Sequence, residues 1–319
     1  MTKLVIQIPC YDEEEALPAT LACLPRELPG IDSVEWLIVD DCSSDRTVEV
    51  ARRHGVDHVV ILPRHQGLAR AFVAGLEASA NAGADIIVNT DADNQYEAED
   101  IPKLIAPILA GEAQIVVGER PIADISHFSP AKKQLQRIGS WVTRKLSGTD
   151  VADAPSGFRA MTREAALKLN VFSDYTYTIE TIIQAGQKGM AVTSVPIRTN
   201  RELRESRLIS NLPRYIQRQI LTMARIFMTY KPFRFFALPG AISFAAGFLV
   251  GLRFLWFYAT AGGRGHVQSL ILSALLMGAG GILVLVGFLA DLISVNRKLL
   301  EALDWRLRKM EDSLGSGQK

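Results

Sequence analysis

Residues 86–96 read Ile86-Ile-Val-Asn-Thr-Asp91-Ala-Asp93-Asn-Gln95-Tyr96. The first half is apolar and β-branched, the composition of a short buried strand. The second half sets two carboxylates, Asp91 and Asp93, around one small residue. A strand that ends there puts both acids at the carboxyl edge of a sheet, where open α/β folds bind ligands. With Gln95 two residues on, the stretch offers hard oxygen ligands to Mg²⁺ or Mn²⁺. Such ions take one or two carboxylates and fill their shell with substrate phosphate oxygens and water. Taken alone, Asp-x-Asp fits a solvated turn equally well, and the rest of the chain has to decide between the two.

Working outward, the spacing predicts strands over Leu4–Ile8, Val34–Val39, Val59–Leu62, Asp85–Thr90 and Gln114–Val117. Between them it predicts helices from the acids at Asp12–Glu15 to about Leu24, over Arg46–Arg53, over Gly67–Ala82 and over Ile101–Ala110. Acids suit a helix N-terminus, and Ser43, Ser44 and Asp45 are cap residues for the second helix. Alternating strands and helices argue a mostly parallel sheet with covering helices. Three strand ends then carry acids: Tyr11-Asp12-Glu13, Asp40-Asp41 and Asp91-Ala-Asp93. Crowded carboxylates are costly unless a cation or hydrogen-bond donors offset their repulsion, which favours a site over a solvated rim. The first strand is not followed by Gly-x-Gly-x-x-Gly, which argues against a dinucleotide site.

The net charge of +1 excludes a polyelectrolyte such as nucleic acid as the general partner. Cys10, Cys23 and Cys42 have no metal-ligand spacing and read as ordinary buried thiols of a reducing compartment. Charge is concentrated instead between Arg201 and Arg234, where eight cations face only Glu202 and Glu205. Within this stretch Ile209, Leu212, Ile216, Ile220, Met223, Phe227 and Tyr230 recur at helical spacing. That pattern fits a helix in a membrane interface or one packed on the preceding domain, and its position before two apolar runs favours the membrane. Phe235–Ala261 and Val267–Val295 are each long enough to span a bilayer. Lys231 and Arg234 precede them and Arg297 and Lys298 follow, which puts both ends in the cytoplasm. Residues 298–312 read as an amphipathic tail helix and a candidate subunit contact, so a homo-oligomer is an open reading. The chain therefore divides into a catalytic domain over 1–208, an interfacial helix over 209–232, a hairpin over 233–296 and a tail over 297–319.

The segments PCYDEEE, LIVDDCSSDRT, the Gly67 helix, DADNQY and VVGER, in this order and spacing, resemble the family 2 glycosyltransferases with the GT-A fold. Asp153-Ala-Pro-Ser-Gly-Phe-Arg159, Ile179-Glu180 and Val195-Pro-Ile197 extend the resemblance toward the polyprenyl-phosphate branch, similar to dolichol-phosphate mannose synthases. The resemblance implies that Pro9, Tyr11, Glu13, Asp40, Asp41, Gly67 and Asp91 bind a nucleotide-sugar donor, with Asp40 and Asp41 on the base and ribose. It implies that Asp91, Asp93 and Gln95 hold Mg²⁺ or Mn²⁺ on the diphosphate. Asp153, with Asp93 and Arg120, would carry the catalytic work, Asp153 facing the reacting sugar. Arg201, Arg204, Ser206 and Arg207 resemble the family's Arg-x-x-Gly-x-Ser-Lys segment, with arginines in place of its glycine and lysine. Together with Arg120, Lys133 and Arg137 they are candidates for the acceptor phosphate, which arginine can grip in bidentate fashion.

The expected protein is thus an enzyme of the cytoplasmic membrane, multi-pass, with its catalytic domain in the cytoplasm. It moves a sugar with inversion from a UDP- or GDP-linked donor to a polyprenyl phosphate lipid. Asp153 would stabilise the sugar's developing positive charge or accept a proton. A processive polysaccharide synthase is the nearest rival, and it should carry Gln-x-x-Arg-Trp, a pattern that none of Trp36, Trp141, Trp256 and Trp305 completes. A non-catalytic membrane scaffold is the other, and it has no use for acids at three strand ends.

Overall fold

The computed structural model describes residues 1–121, 130–171, 177–200, 217, 221, 224, 225, 227–262 and 267–316. The chain forms two compact units, residues 1–216 with 305–319, and residues 217–304.

The first unit is built on seven strands: β1 (Lys3–Cys10), β2 (Ser33–Asp40), β3 (His58–Ile61), β4 (Ile86–Asn89), β5 (Ile115–Glu119), β6 (Arg159–Thr162) and β7 (Val192–Pro196). They lie in the order β3-β2-β1-β4-β6-β5-β7. β1 runs parallel to β2 and β4, β2 to β3, and β5 to β7. Only β6 is antiparallel, against both β4 and β5. The sheet is mostly parallel, as expected, and the reversed strand is an addition. Arg159-Ala-Met-Thr162 is four residues long, opens on a charge and shows no alternation, so nothing in its pattern marks a strand.

β1 is almost wholly buried, as an interior parallel strand covered on both faces must be. Helices α1 (Leu17–Cys23), α2 (Thr47–Arg53), α3 (Leu68–Asn81) and α4 (Ile101–Leu109) cover the sheet, followed by α5 (Pro130–Ser147), α6 (Arg163–Lys168) and α7 (Thr178–Gln187). On α3 the buried residues Ala69, Phe72, Leu76, Ser79 and Ala80 recur at helical spacing, which seats that face on the sheet. The first helix starts later than its acids suggest, because Pro18 fits only in a first turn. Asp12, Glu13 and Glu14 are therefore left in the loop. Of the three cysteines expected to be buried, only Cys10 is; Cys23 and Cys42 are exposed.

The second unit contains α8 (Pro232–Ala261) and most of α9 (Val267–Ser316), two helices long and apolar enough to cross a membrane. Leu249, Trp256, Leu275, Leu285 and Ile293 are each more than 60% exposed, so apolar side chains line the outside of the pair. Between the helices the contact is made by small residues. A Cβ on Gly247 would lie 2.8 Å from both Cβ of Leu276 and the backbone nitrogen of Met277. Ser243 Oγ donates to the Leu276 carbonyl at 2.9 Å, and Ser273 Oγ to the Gly247 carbonyl at 2.8 Å. Gly247-x-x-x-Gly251 is thus a close-packing face. The tail is not a separate helix: α9 runs unbroken through it, since no glycine or proline interrupts residues 288–314.

Candidate active site

The parallel register sets Cys10 beside Asp40 and Gln7 beside Asn89. The three acid-bearing turns therefore follow the carboxyl ends of three adjacent strands, β2, β1 and β4. Each turn holds one non-glycine residue in the left-handed region: Asp12 at φ 51°, Cys42 at φ 62° and Asn94 at φ 56°. Backbone in that region is costly and collects at functional sites.

The acids after β1 and β2 are met by the chain itself. Asp12 Oδ1 accepts from Ser44 N at 2.7 Å, while its own N–H donates to Ser43 Oγ. Glu13, 8% exposed, donates its N–H to Thr47 Oγ1 at 2.8 Å. Asp41 is buried, and its two oxygens accept the N–H groups of Gln66 and Gly67, each at 2.7 Å, with His65 Nδ1 at 2.9 Å. Gly67 sits at φ 89°, a conformation glycine adopts freely, and caps α3. Asp40 is 2% exposed; one oxygen accepts from Ser43 N at 3.2 Å and Oδ1 is buried without a partner among the described residues. Tyr11 is partly exposed with its ring 4.1 Å from that of His65, and Pro9 is buried in β1.

The turn after β4 differs. Asp91 is half-buried and lies close to Asp93; together desolvation and that charge push its carboxyl up to about 7. Asp93 Oδ1 accepts from Gln95 N at 3.2 Å. The Tyr96 hydroxyl accepts the Gly157 N–H at 2.9 Å, and it is pushed well above the usual range by burial and by the Asp91 charge. Among the described residues no group of three or more His, Cys, Asp or Glu side chains is placed to hold a metal. Two carboxylates and an amide oxygen suit Mg²⁺ or Mn²⁺, which take the rest of their shell from phosphate oxygens and water. A cation would also relieve the repulsion between the two acids.

At the end of β5, Arg120 forms a fork with Asp153: Nε to Oδ2 at 2.7 Å and Nη2 to Oδ1 at 3.0 Å. Asp153 is fully buried, and its charge raises the already high pKa of Arg120. The sequence reading placed these residues in one site but did not foresee that they would be paired with each other. Arg159 is also fully buried and, among the described residues, has no carboxylate partner in its hydrogen bonds. It donates to the carbonyls of Ala154, Ser156 and Thr178 and to Thr181 Oγ1, so it ties down the turn that carries Asp153. Burial lowers its pKa from the usual arginine value.

Below the turns runs a buried polar chain that the sequence reading passed over. Gln7 Nε2 donates to Asn89 Oδ1 at 2.9 Å, and Asn89 Nδ2 donates to the Gly157 carbonyl and to Tyr177 Oη, both at 2.9 Å. The available signal was a glutamine and an asparagine in the middle of apolar strands, since buried polar side chains are there to be bonded. Of the acceptor-phosphate candidates, Arg137 is exposed on α5, Lys133 lies on α5 with its side chain outside the described residues, and Arg201, Arg204, Ser206 and Arg207 lie wholly outside them.

Glucosyl-3-phosphoglycerate synthase from Mycobacterium tuberculosis, solved with Mn²⁺, uridine diphosphate and glucosyl-3-phosphoglycerate, shares the GT-A fold. It superposes with a TM-score of 0.57 at 21% identity, over 70% of this chain and 80% of that one. In sequence, the chain is 29% identical over 212 residues to a Micrococcus luteus protein named undecaprenyl-phosphate mannosyltransferase, covering 63% of this chain and 85% of the relative. It is 28% identical over 218 residues to the polyprenol monophosphomannose synthase of Mycolicibacterium smegmatis, covering 65% and 81%. A Methanococcus voltae protein named UDP-N-acetylglucosamine–dolichyl-phosphate N-acetylglucosaminyltransferase is 31% identical over 217 residues, covering 60% and 83%. A sequence model described as Glycosyl transferase family 2 matches residues 5–169, just over half of the chain, and the protein therefore belongs to that family.

Proposed function

We propose that this enzyme transfers a sugar from a nucleotide-sugar to a polyprenyl phosphate at the cytoplasmic face of a membrane. The observation that carries the reading is the pair Asp91 and Asp93 at the end of β4, in a chain that also has two helices able to cross a membrane. The names of the three sequence relatives support the same acceptor class.

The acceptor is a phosphate that is already ionised, so little deprotonation is needed and the rate rests on positioning and charge stabilisation. A divalent cation held by Asp91, Asp93 and Gln95 would supply neutralisation of the departing diphosphate. Asp40, with one buried oxygen still open, accepts a hydrogen bond from the donor's base or ribose. Asp41 acts on the donor indirectly, by fixing the Gln66–Gly67 turn. Asp153 fixes the guanidinium of Arg120 through Nε and Nη2, leaving Nη1 for a second anion, the acceptor phosphate. Arg201 and Arg207 add charge for that phosphate, and Lys133 and Arg137, both on α5, are further cations for it. A single in-line displacement inverts the anomeric carbon.

The test is the full chain in lipid nanodiscs with a defined prenyl phosphate and a panel of radiolabelled nucleotide-sugars. Label is expected in the lipid phase with one sugar, and its absence with every donor overturns the assignment. Topology is read separately. With the active site in the cytoplasm, Gly263→Cys is expected to react with an impermeant thiol reagent from outside, and Gly315→Cys only from the cytoplasm.

A further inference from the structure

Three parts of the first unit meet at Tyr96. Its hydroxyl accepts the Gly157 N–H at 2.9 Å, and Gly157 lies against the Asp91 carboxylate. Its ring, 5% exposed, stacks on Phe158 with centroids 5.0 Å apart and planes 12° from parallel. Its backbone bridges Thr199, and its carbonyl accepts from Asn200 Nδ2 at 3.4 Å, while Asn200 N donates to Gln95 O at 2.8 Å. The Gly157 peptide is held from its other side by Asn89. A Cβ at Gly157 would lie 3.0 Å from both oxygens of Asp91 and 3.1 Å from Tyr177 Oη, so an added methyl would press on the carboxylate. One hydroxyl thus anchors the turn that begins at Asp153 where it packs on the acid after β4, and the same residue's backbone joins both to the segment that follows β7.

We propose that Tyr96 is a positioning residue: its hydroxyl holds Gly157, on which the Asp91 carboxylate packs, so that Asp91 and the Arg120–Asp153 pair keep one geometry when a divalent cation binds. The inference rests on the reading of Asp91 as a cation ligand. The chemistry is that of an outer partner of a metal ligand. Such a partner sets the ligand's direction, and its loss typically weakens metal binding by about 10- to 100-fold. The ring alone could not do this, since it offers Gly157 no acceptor.

The test is Mn²⁺ binding to the full chain in nanodiscs, followed by electron paramagnetic resonance with uridine diphosphate present, which needs no acceptor and no turnover. Tyr96→Phe keeps the ring and its stack and removes only the hydroxyl. It is expected to weaken Mn²⁺ by about 10- to 100-fold with the circular dichroism spectrum unchanged. Phe158→Leu removes the stack and keeps the hydroxyl, and is expected to bind Mn²⁺ within about twofold of wild type, well below that outer-partner effect. Gly157→Ala leaves Tyr96 intact but presses a methyl on both Asp91 oxygens, so it is expected to weaken Mn²⁺ even if Tyr96→Phe does not fold. Wild-type affinity in Tyr96→Phe or in Gly157→Ala, or an equal loss in Phe158→Leu, overturns the positioning role alone. No Mn²⁺ binding by the wild type overturns the cation reading and this inference with it.

Discussion

Asp41 and Asp91 both follow strands of one sheet, β2 and β4, with β1 between them. Asp41 is enclosed by its own chain: among the described residues, two backbone amides and His65 supply its donors. Asp91 has no such amides among the described residues, and its desolvation and the neighbouring negative charge of Asp93 raise its carboxyl to about 7. The same residue type thus serves as a fastener at one strand end and as a poised ligand at another. Position at the sheet edge does not separate these roles; the donors that the local loop supplies do. Asp153 is a third case, answered by the single cation Arg120.

The largest expected effect tests that third case. Asp153→Ala leaves Arg120 as a buried charge without its partner and is expected to remove about 3–5 kcal/mol of stability. Replacing both residues together, Arg120→Met with Asp153→Leu, should recover most of it. Thermal unfolding in detergent reads both, and equal loss in the double variant would mean the pair does more than neutralise itself. Next, Asp93→Ala should cut sugar transfer by about 100- to 1000-fold, the scale of losing one preorganised charge contact, with no change in circular dichroism. Asp41→Ala should do the reverse. Stranding the Gln66 and Gly67 amides costs about 1–3 kcal/mol of stability, while Mn²⁺ affinity should stay as in wild type. If Asp41→Ala lost Mn²⁺ and kept its stability, the contrast between the two strand ends would be wrong.

The smallest effect is one of pH. In the folded protein Asp91 titrates near 7, against 3.8 as the ordinary value, so the folded state holds this proton more tightly than the unfolded one. The stability that this group contributes is complete below about pH 4 and is lost as pH rises through 7. A cation binds the charged form, so Mn²⁺ affinity should fall by up to about tenfold for each pH unit below 7. Added Mn²⁺ should raise the unfolding temperature more at pH 8 than at pH 6. A titration flat between pH 5 and 8 would show that Asp91 is not the group being displaced.

Much of this architecture is legible in the residues. The apolar runs ending in acids locate β1, β2 and β4 and their adjacency, and the order of the motifs points to the family. What escapes notice has physical reasons. β6 is short and opens on Arg159, whose guanidinium is made tolerable by carbonyls brought in from other segments. The start of α1 is governed by Pro18 rather than by the acids before it. The pairing of Arg120 with Asp153 and the role of Tyr96 depend on contacts across 33 and 61 positions of sequence, which no local pattern encodes. Asp41 and Asp91 look alike on paper because the amides of Gln66 and Gly67 carry no signature in side-chain letters.

The glycine and serine face between α8 and α9 bears on biogenesis. Ser243 and Ser273 each spend their hydroxyl on a carbonyl of the facing helix, and at Gly247 the two backbones nearly touch. In hydrocarbon there is no water to drive apolar helices together, so close backbone packing and such bonds have to hold them. On the proposed membrane reading, a hairpin with its polar side chains already bonded inward and apolar side chains outward would leave the translocation machinery as one body, its two halves entering the lipid together. A bulky residue at Gly247 would then be felt first as a failure of membrane integration during synthesis, before any sugar is transferred.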